Sequence, residues 1–187
     1  MDPLEIIGFL TTILCVWLSA KERAWGFPVA AVASGFYCVV YYQARLYLDS
    51  SLQVFFLALS LYGWYEWLYG GQNKDVLPIS RLPRVAIPYL VTIGLLATAT
   101  MGYAVVHLRP DASIPYLDAA TTATSLIAQW MLARKYLENW LVWIAVDPVY
   151  TGIYVYKGLY LTAFLYLLIT LMAVQGYLHW KRALTTA

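Results

Sequence analysis

Seven apolar runs, at about residues 4–20, 27–44, 48–69, 85–106, 117–133, 139–156 and 159–179, are separated by short polar or basic breaks. Each is close to the roughly 20 residues that a bilayer core demands of a helix. None shows the ten-residue alternation of a membrane barrel, and only helices or closed barrels satisfy their backbone groups in lipid. The pattern therefore predicts an all-α integral membrane protein with seven transmembrane helices. The one substantial linker is the polar, Gly- and Pro-rich stretch 70–83, GGQNKDVLPISRLP.

A second pattern lies over the first. When 5–67 is laid over 118–180 without a gap, 12 of the 63 pairs are identical. They include Trp17/Trp130, Tyr37/Tyr150, Tyr41/Tyr154, Gly63/Gly176 and the run Leu46-Tyr47-Leu48 over Leu159-Tyr160-Leu161. Glu5 over Asp118, Thr12 over Ser125 and Lys21 over Arg134 add similar chemistry in the same register. The expected organisation is a three-helix repeat over 1–69, a linker with a fourth helix over 70–112, and a second repeat over 113–187. An odd number of helices followed by one linker helix returns the second repeat to the orientation of the first, so the repeats are parallel. Transporters with this arrangement bind substrate near the midplane, between the repeats.

Composition agrees: 62% of residues are hydrophobic and 12% charged, against about 25% charged in soluble domains. Met1 is followed by Asp2 and Glu5 rather than a basic segment, so no cleaved signal peptide is expected. Lys21, Arg23, Lys74, Arg81, Arg84, Arg134, Lys135, Lys181 and Arg182 fall on one side, and Arg45, Arg109 and Lys157 on the other. The positive-inside rule then places the amino terminus outside and the carboxyl terminus in the cytoplasm.

Chemistry concentrates between Ile127 and Asp147. Trp140 and Trp143 share a helix face, within a turn of Asn139, and Asp147 lies one turn beyond Trp143. An aspartate near the centre of a span costs about 2.5–3.5 kcal/mol on insertion scales. Pro148 after it removes a backbone donor and disfavours helical geometry at Asp147, so a kink is expected there. Indole faces attract cations and stack on flat rings. Asn139, Trp140, Trp143 and Asp147, with Gln129, read as the lining of a path for a small polar molecule. The repeat register puts Ser34 opposite Asp147 and pairs Tyr37 with Tyr150 near mid-membrane. Ser125 sits in the most polar span, with hydroxyl bonds to its own helix as the plain alternative. Gln53 reads as a rim contact or a packing residue. Trp17, Trp64, Trp67, Trp130 and Trp180 lie near span ends, where an aromatic belt is the ordinary expectation.

Other chemistries find little support. Cys15 and Cys38 sit in apolar runs, and His107 and His179 are far apart, so no metal site or catalytic set is assigned. No phosphate-binding loop marks an energy-coupling domain. Neither a cofactor nor a nucleic-acid partner is expected.

Three strings carry a family likeness: Gly63-Trp64-Tyr65-Glu66-Trp67, the run RKYLENWLVW over residues 134–143, and Gly158-Leu159-Tyr160. Through them the chain resembles the PnuC-type vitamin transporters of bacteria over essentially its whole length. The resemblance implies a core similar to the SWEET sugar transporters, a homotrimer with one pathway per subunit, and facilitated diffusion (uniport) of an unphosphorylated vitamin. Nicotinamide riboside, trapped by cytoplasmic phosphorylation, is the expected substrate, and thiamine is the alternative. The riboside branch is expected to carry Asn four residues after the second Trp, where this chain has Asp147. Both vitamins carry a cationic aromatic ring, which a carboxylate beside indoles suits.

Overall fold

Our computed structural model describes residues 3–43, 47–108, 114–156, 158 and 160–186. Seven helices account for most of them: α1 Pro3–Ala20, α2 Gly26–Gln43, α3 Tyr47–Tyr69, α4 Ala86–Leu108, α5 Pro115–Ala133, α6 Asn139–Tyr156 and α7 Tyr160–Thr186. No strand is present among the described residues. The helices follow the apolar runs closely, except that α7 continues to Thr186, past the expected end at residue 179. Lys181 and Arg182 end the apolar run but not the helix, and Leu184 beyond them packs against the core. By length and apolarity alone, Ala86–Leu108 and Tyr160–Thr185 are long and apolar enough to cross a membrane.

α1, α2 and α3 pack in sequence, as do α5, α6 and α7, and the two groups meet where α1 lies on α7 and α3 on α5. α4 packs against α5 alone among the described elements. Two glycines allow that approach: a Cβ at Gly94 would lie 3.2 Å from Ile127, and one at Gly102 would lie 2.4 Å from the Tyr116 ring. The outer surface of α4, with Tyr89, Ile93, Leu95, Leu96 and Tyr103, is exposed, as suits a lipid-facing helix.

Positions that the repeat register pairs also repeat their local geometry. The α1–α2 turn is tied by backbone bonds from Lys21 to Trp17, Glu22 to Ser19, Arg23 to Leu18, Gly26 to Arg23 and Phe27 to Ala24. The α5–α6 turn repeats all five, from Arg134 to Trp130 through Trp140 to Leu137, at 2.8–3.3 Å in both sets. Glu22 (φ 56°) and Lys135 (φ 51°) share the left-handed conformation that side chains disfavour. The aromatic packing repeats as well. Phe27 meets Trp67 edge-on at 5.0 Å, and Trp140 meets Trp180 edge-on at 5.4 Å, while Trp67 and Trp180 touch each other at 5.8 Å.

Trp67 and Trp180 are 1% and 0% exposed, which corrects the expectation of an aromatic belt at these two positions. Their rings join Phe27, Leu77, Leu132, Leu137, Trp140 and Ala173 in one core cluster. Trp17, half exposed, stays on the surface. The difference is one of helix face, which the distance of a residue from a span end does not reveal.

Candidate functional site

A cavity of about 430 Å³ lies between the two three-helix groups, with every helix but α4 contributing to its wall. α6 supplies Trp140, Trp143 and Asp147, α5 supplies Gln129, and α7 supplies Tyr166. Across from them stand Thr11, Thr12, Cys15 and Ser19 of α1, Ser34 of α2, and Gln53 and Ser60 of α3. Among the described residues, neither Lys nor Arg contributes to this lining.

Asp147 is the only acid on the wall among the described residues and is 2% exposed. Its Oδ1 has no hydrogen-bond partner among them. A buried carboxylate so placed costs stability unless something meets it. α6 runs through Pro148 without interruption. Because proline lacks an N–H, the turn before it loses one backbone bond, while the Asp147 carbonyl accepts from Thr151 Oγ1 at 3.0 Å.

Of the side chains singled out from the sequence, Asp147, Trp143, Trp140, Gln129, Ser34 and Gln53 meet at this cavity. Trp140 has a second role, since its indole is 2% exposed and wedged between Trp180 and the backbone of Gly176. Asn139, Ser125 and Tyr150 are not on the wall. Asn139 is fully buried in the α5–α6 turn, where its Nδ2 donates to the Tyr136 carbonyl at 2.6 Å. It shares a helix turn with Trp140 but points into the turn. Ser125 Oγ donates to Thr121 O at 2.8 Å and lies 3.2 Å from the Tyr150 hydroxyl. The Tyr150 ring in turn packs 4.8 Å from that of Tyr166, so this pair supports the wall from behind. Tyr37 lies on α2, and its side chain is outside the described residues.

Tyr166, Thr12, Ser19 and Ser60 were not singled out for the wall. The repeat contained a signal for two of them, because its register pairs Tyr166 with Gln53 and Thr12 with Ser125. Ser19 and Ser60 pair with Leu132 and Ala173, so no symmetry argument reaches them.

The family model for nicotinamide mononucleotide transporters matches residues 2–182. The chain belongs to this family. It is similar to the nicotinamide riboside transporter PnuC of Escherichia coli, with 27% identity over 202 residues, covering 95% of this chain and 84% of that one. The riboflavin/roseoflavin transporter RibM of Streptomyces davaonensis is 24% identical over 181 residues, covering 94% and 83%. Among solved structures, the crystal structure of the vitamin B3 transporter PnuC superposes with a TM-score of 0.73 at 22% identity, over 98% of this chain and 82% of that one. The protein is thus a helical membrane protein of a PnuC-type family, a transporter and not an enzyme.

In this transporter the linker after α3 is fastened over the cavity's aromatic end. Ser80 N donates to Lys135 O at 3.0 Å, and Leu137 N donates back to Ser80 O at 2.9 Å. Leu82 N donates to Glu138 Oε2 at 2.7 Å. Lys135 Nζ donates to Leu77 O at 2.9 Å, sits 4.7 Å above the Trp67 ring and lies 3.7 Å from Glu22 Oε2. Burial pulls the Lys135 ammonium below the ordinary lysine pKa, against the pull of Glu22. Arg134 bonds Glu66 Oε2 at 2.9 Å and the Tyr62 hydroxyl at 3.3 Å. The Tyr62 bond, ahead of Glu66, lifts the Arg134 pKa further. A linker that composition marks as loose is therefore pinned by the loop carrying the RKYLENW string.

Proposed function

We propose that this chain carries an unphosphorylated vitamin, nicotinamide riboside, across the bacterial inner membrane by facilitated diffusion. The observation that carries the reading is the cavity wall: one buried carboxylate with an unpartnered oxygen, two indoles, and no basic side chain among the described residues. A cationic ring offers Asp147 the countercharge that the wall does not. A phosphate would find no Lys or Arg there to meet it, which favours the riboside over the mononucleotide. The curated PnuC relative is named for nicotinamide riboside, in keeping with this choice. The neutral ring system of riboflavin, for which the RibM relative is named, would leave Asp147 unmatched. Cytoplasmic phosphorylation then traps the imported vitamin.

We read the fold as two parallel three-helix repeats, 1–69 and 113–187, joined by a linker and α4 within 70–112. The matching turns, the matching edge-on aromatic pairs and the exchange of the α1–α7 contact for α3–α5 in the repeat register support this division. The amino terminus lies outside and the carboxyl terminus inside, and three subunits each carry one pathway.

Proteoliposomes loaded with unlabelled nicotinamide riboside test the central claim by counterflow. External label should enter and equilibrate without any imposed gradient, and thiamine and nicotinamide mononucleotide should compete poorly. Accumulation above equilibrium only under a proton or sodium gradient would overturn the uniport. Counterflow with thiamine but not the riboside would overturn the substrate.

A further inference from the structure

The two halves of the cavity wall differ in kind. In the repeat register Asp147 corresponds to Ser34, Trp143 to Ala30 and Trp140 to Phe27, so charge and indole nitrogen lie on the second half only. The first half instead presents small hydroxyl side chains. Ser19, Ser34 and Ser60 are 8%, 8% and 2% exposed and line the cavity. Thr12 joins them, its Oγ1 donating to Gly8 O at 2.8 Å and keeping lone pairs to accept with. Ala30 lines the cavity where the second half has the bulkier Trp143.

Hydroxyls on a cavity wall can both donate to and accept from a ligand. Serines from three different helices on one wall have donors and acceptors to offer a group bearing several hydroxyls. A flat ring has no use for so many. A carboxylate and indoles on one side and a set of hydroxyls on the other therefore describe a ligand with two unlike ends.

We infer that the hydroxyl wall of the first repeat binds the sugar of a cationic riboside, while Trp143 and Asp147 of the second repeat hold its ring, so that substrate enters in one orientation. This inference rests on the riboside reading above and adds the residues that select for the sugar. It assigns Ser34 and Ser60 as specificity residues, in contact with substrate hydroxyls. Thiamine, with a single hydroxyl, gains little from them.

The test compares nicotinamide riboside with 1-methylnicotinamide, which has the same cationic ring and a methyl group in place of the sugar. Binding of each to purified wild-type, Ser34→Ala, Ser60→Ala and double-variant protein is measured by calorimetry, with inhibition of riboside counterflow as a second readout. Each lost hydroxyl should weaken the riboside by about twofold to tenfold, the range of one neutral hydrogen bond. Binding of 1-methylnicotinamide should not change, which also shows that the variants are folded. Equal losses for both ligands, or no loss for either, would overturn the sugar assignment while the riboside reading stands. Failure of wild-type protein to bind the riboside at all would overturn that reading and this inference with it.

Discussion

Glu22 and Lys135 occupy the same place in two equivalent turns, share a left-handed backbone, and face each other with Nζ 3.7 Å from Oε2. The pair is unequal. The Lys135 side chain is 3% exposed and that of Glu22 is 30% exposed, and Lys135 alone also holds the linker through Leu77 and covers Trp67. A contact between equivalent positions ties the two helix groups together where the linker crosses them.

Lys135→Met should therefore destabilise the detergent-solubilised protein by about 1–3 kcal/mol, since it strands a linker carbonyl as well as an ion-pair partner. Glu22→Gln should cost under about 1 kcal/mol, as befits a partly exposed pair. Melting temperatures of the two variants measure the contrast; equal losses would mean that the ion pair, not the buried ammonium, matters.

The same lysine gives a pH dependence whose sign is set by its lowered pKa. Between that lowered value and the ordinary lysine value, the folded chain has released a proton that the unfolded chain still holds. Stability from this group therefore rises with pH across that alkaline window. Melting of wild type and Lys135→Met, followed from neutral to alkaline pH, should show wild type gaining on the variant. A gap that moves the other way would contradict the burial of the charged form.

Gly176 is required because its backbone lies against an indole: a Cβ there would meet Trp140 at 2.8 Å, just as one at Gly63 would meet Phe27 at 2.4 Å. Gly176→Ala should lower stability by about 1–3 kcal/mol through overpacking. Adding Trp140→Leu, which removes the Cε2, Cζ2 and Cδ2 atoms that this Cβ would meet, should cost less than the two single losses added together. Thermal unfolding of the single and double variants decides the matter, and additive losses would count against the contact.

The two indoles of the Trp-x-x-Trp pair should separate by phenotype. Trp140 is buried in the core cluster, so Trp140→Ala should cost about 3–5 kcal/mol and reduce the yield of folded protein. Trp143 packs at the edge of that cluster and lines the cavity, so Trp143→Ala should fold but lose riboside counterflow by an order of magnitude. Loss of transport with normal stability in both variants would place both indoles at the substrate.

Helix number, the helix ends other than that of α7, and the meeting of Asp147, Trp143, Gln129, Ser34 and Gln53 were legible because apolar run length and ungapped self-similarity are one-dimensional signals. Rotation about the helix axis was not. Asn139 and Trp140 follow one another in sequence, yet one caps its own turn and the other reaches the cavity. Trp67 and Trp180 lie at span ends, as belt residues do, but face inward. The pinned linker was invisible because its bonds run from backbone atoms of Leu77, Ser80 and Leu82, which carry no sequence signature. Ser19 and Ser60 look like ordinary small helix residues until the cavity is seen.

The carboxylate itself offers the sharpest prediction. Asp147 is buried without a partner for Oδ1 among the described residues, in a helix weakened by Pro148, and an aspartate at such depth opposes insertion by about 2.5–3.5 kcal/mol. Asp147→Leu should therefore leave expression intact or raise it, while transport of a cationic vitamin falls at least tenfold. Asp147→Asn should be milder for a riboside, whose sugar the opposite hydroxyl wall still holds, than for a substrate held by charge alone. Exchanging the two equivalent positions, Asp147→Ser with Ser34→Asp, restores the charge but places it opposite the indole of Trp143 and beside Ala30. The exchanged protein should stay as impaired as Asp147→Leu, since ring stacking and countercharge no longer act from the same side. Counterflow rates and membrane yields of the four proteins check the set, and wild-type transport in Asp147→Leu would reassign the carboxylate to structure.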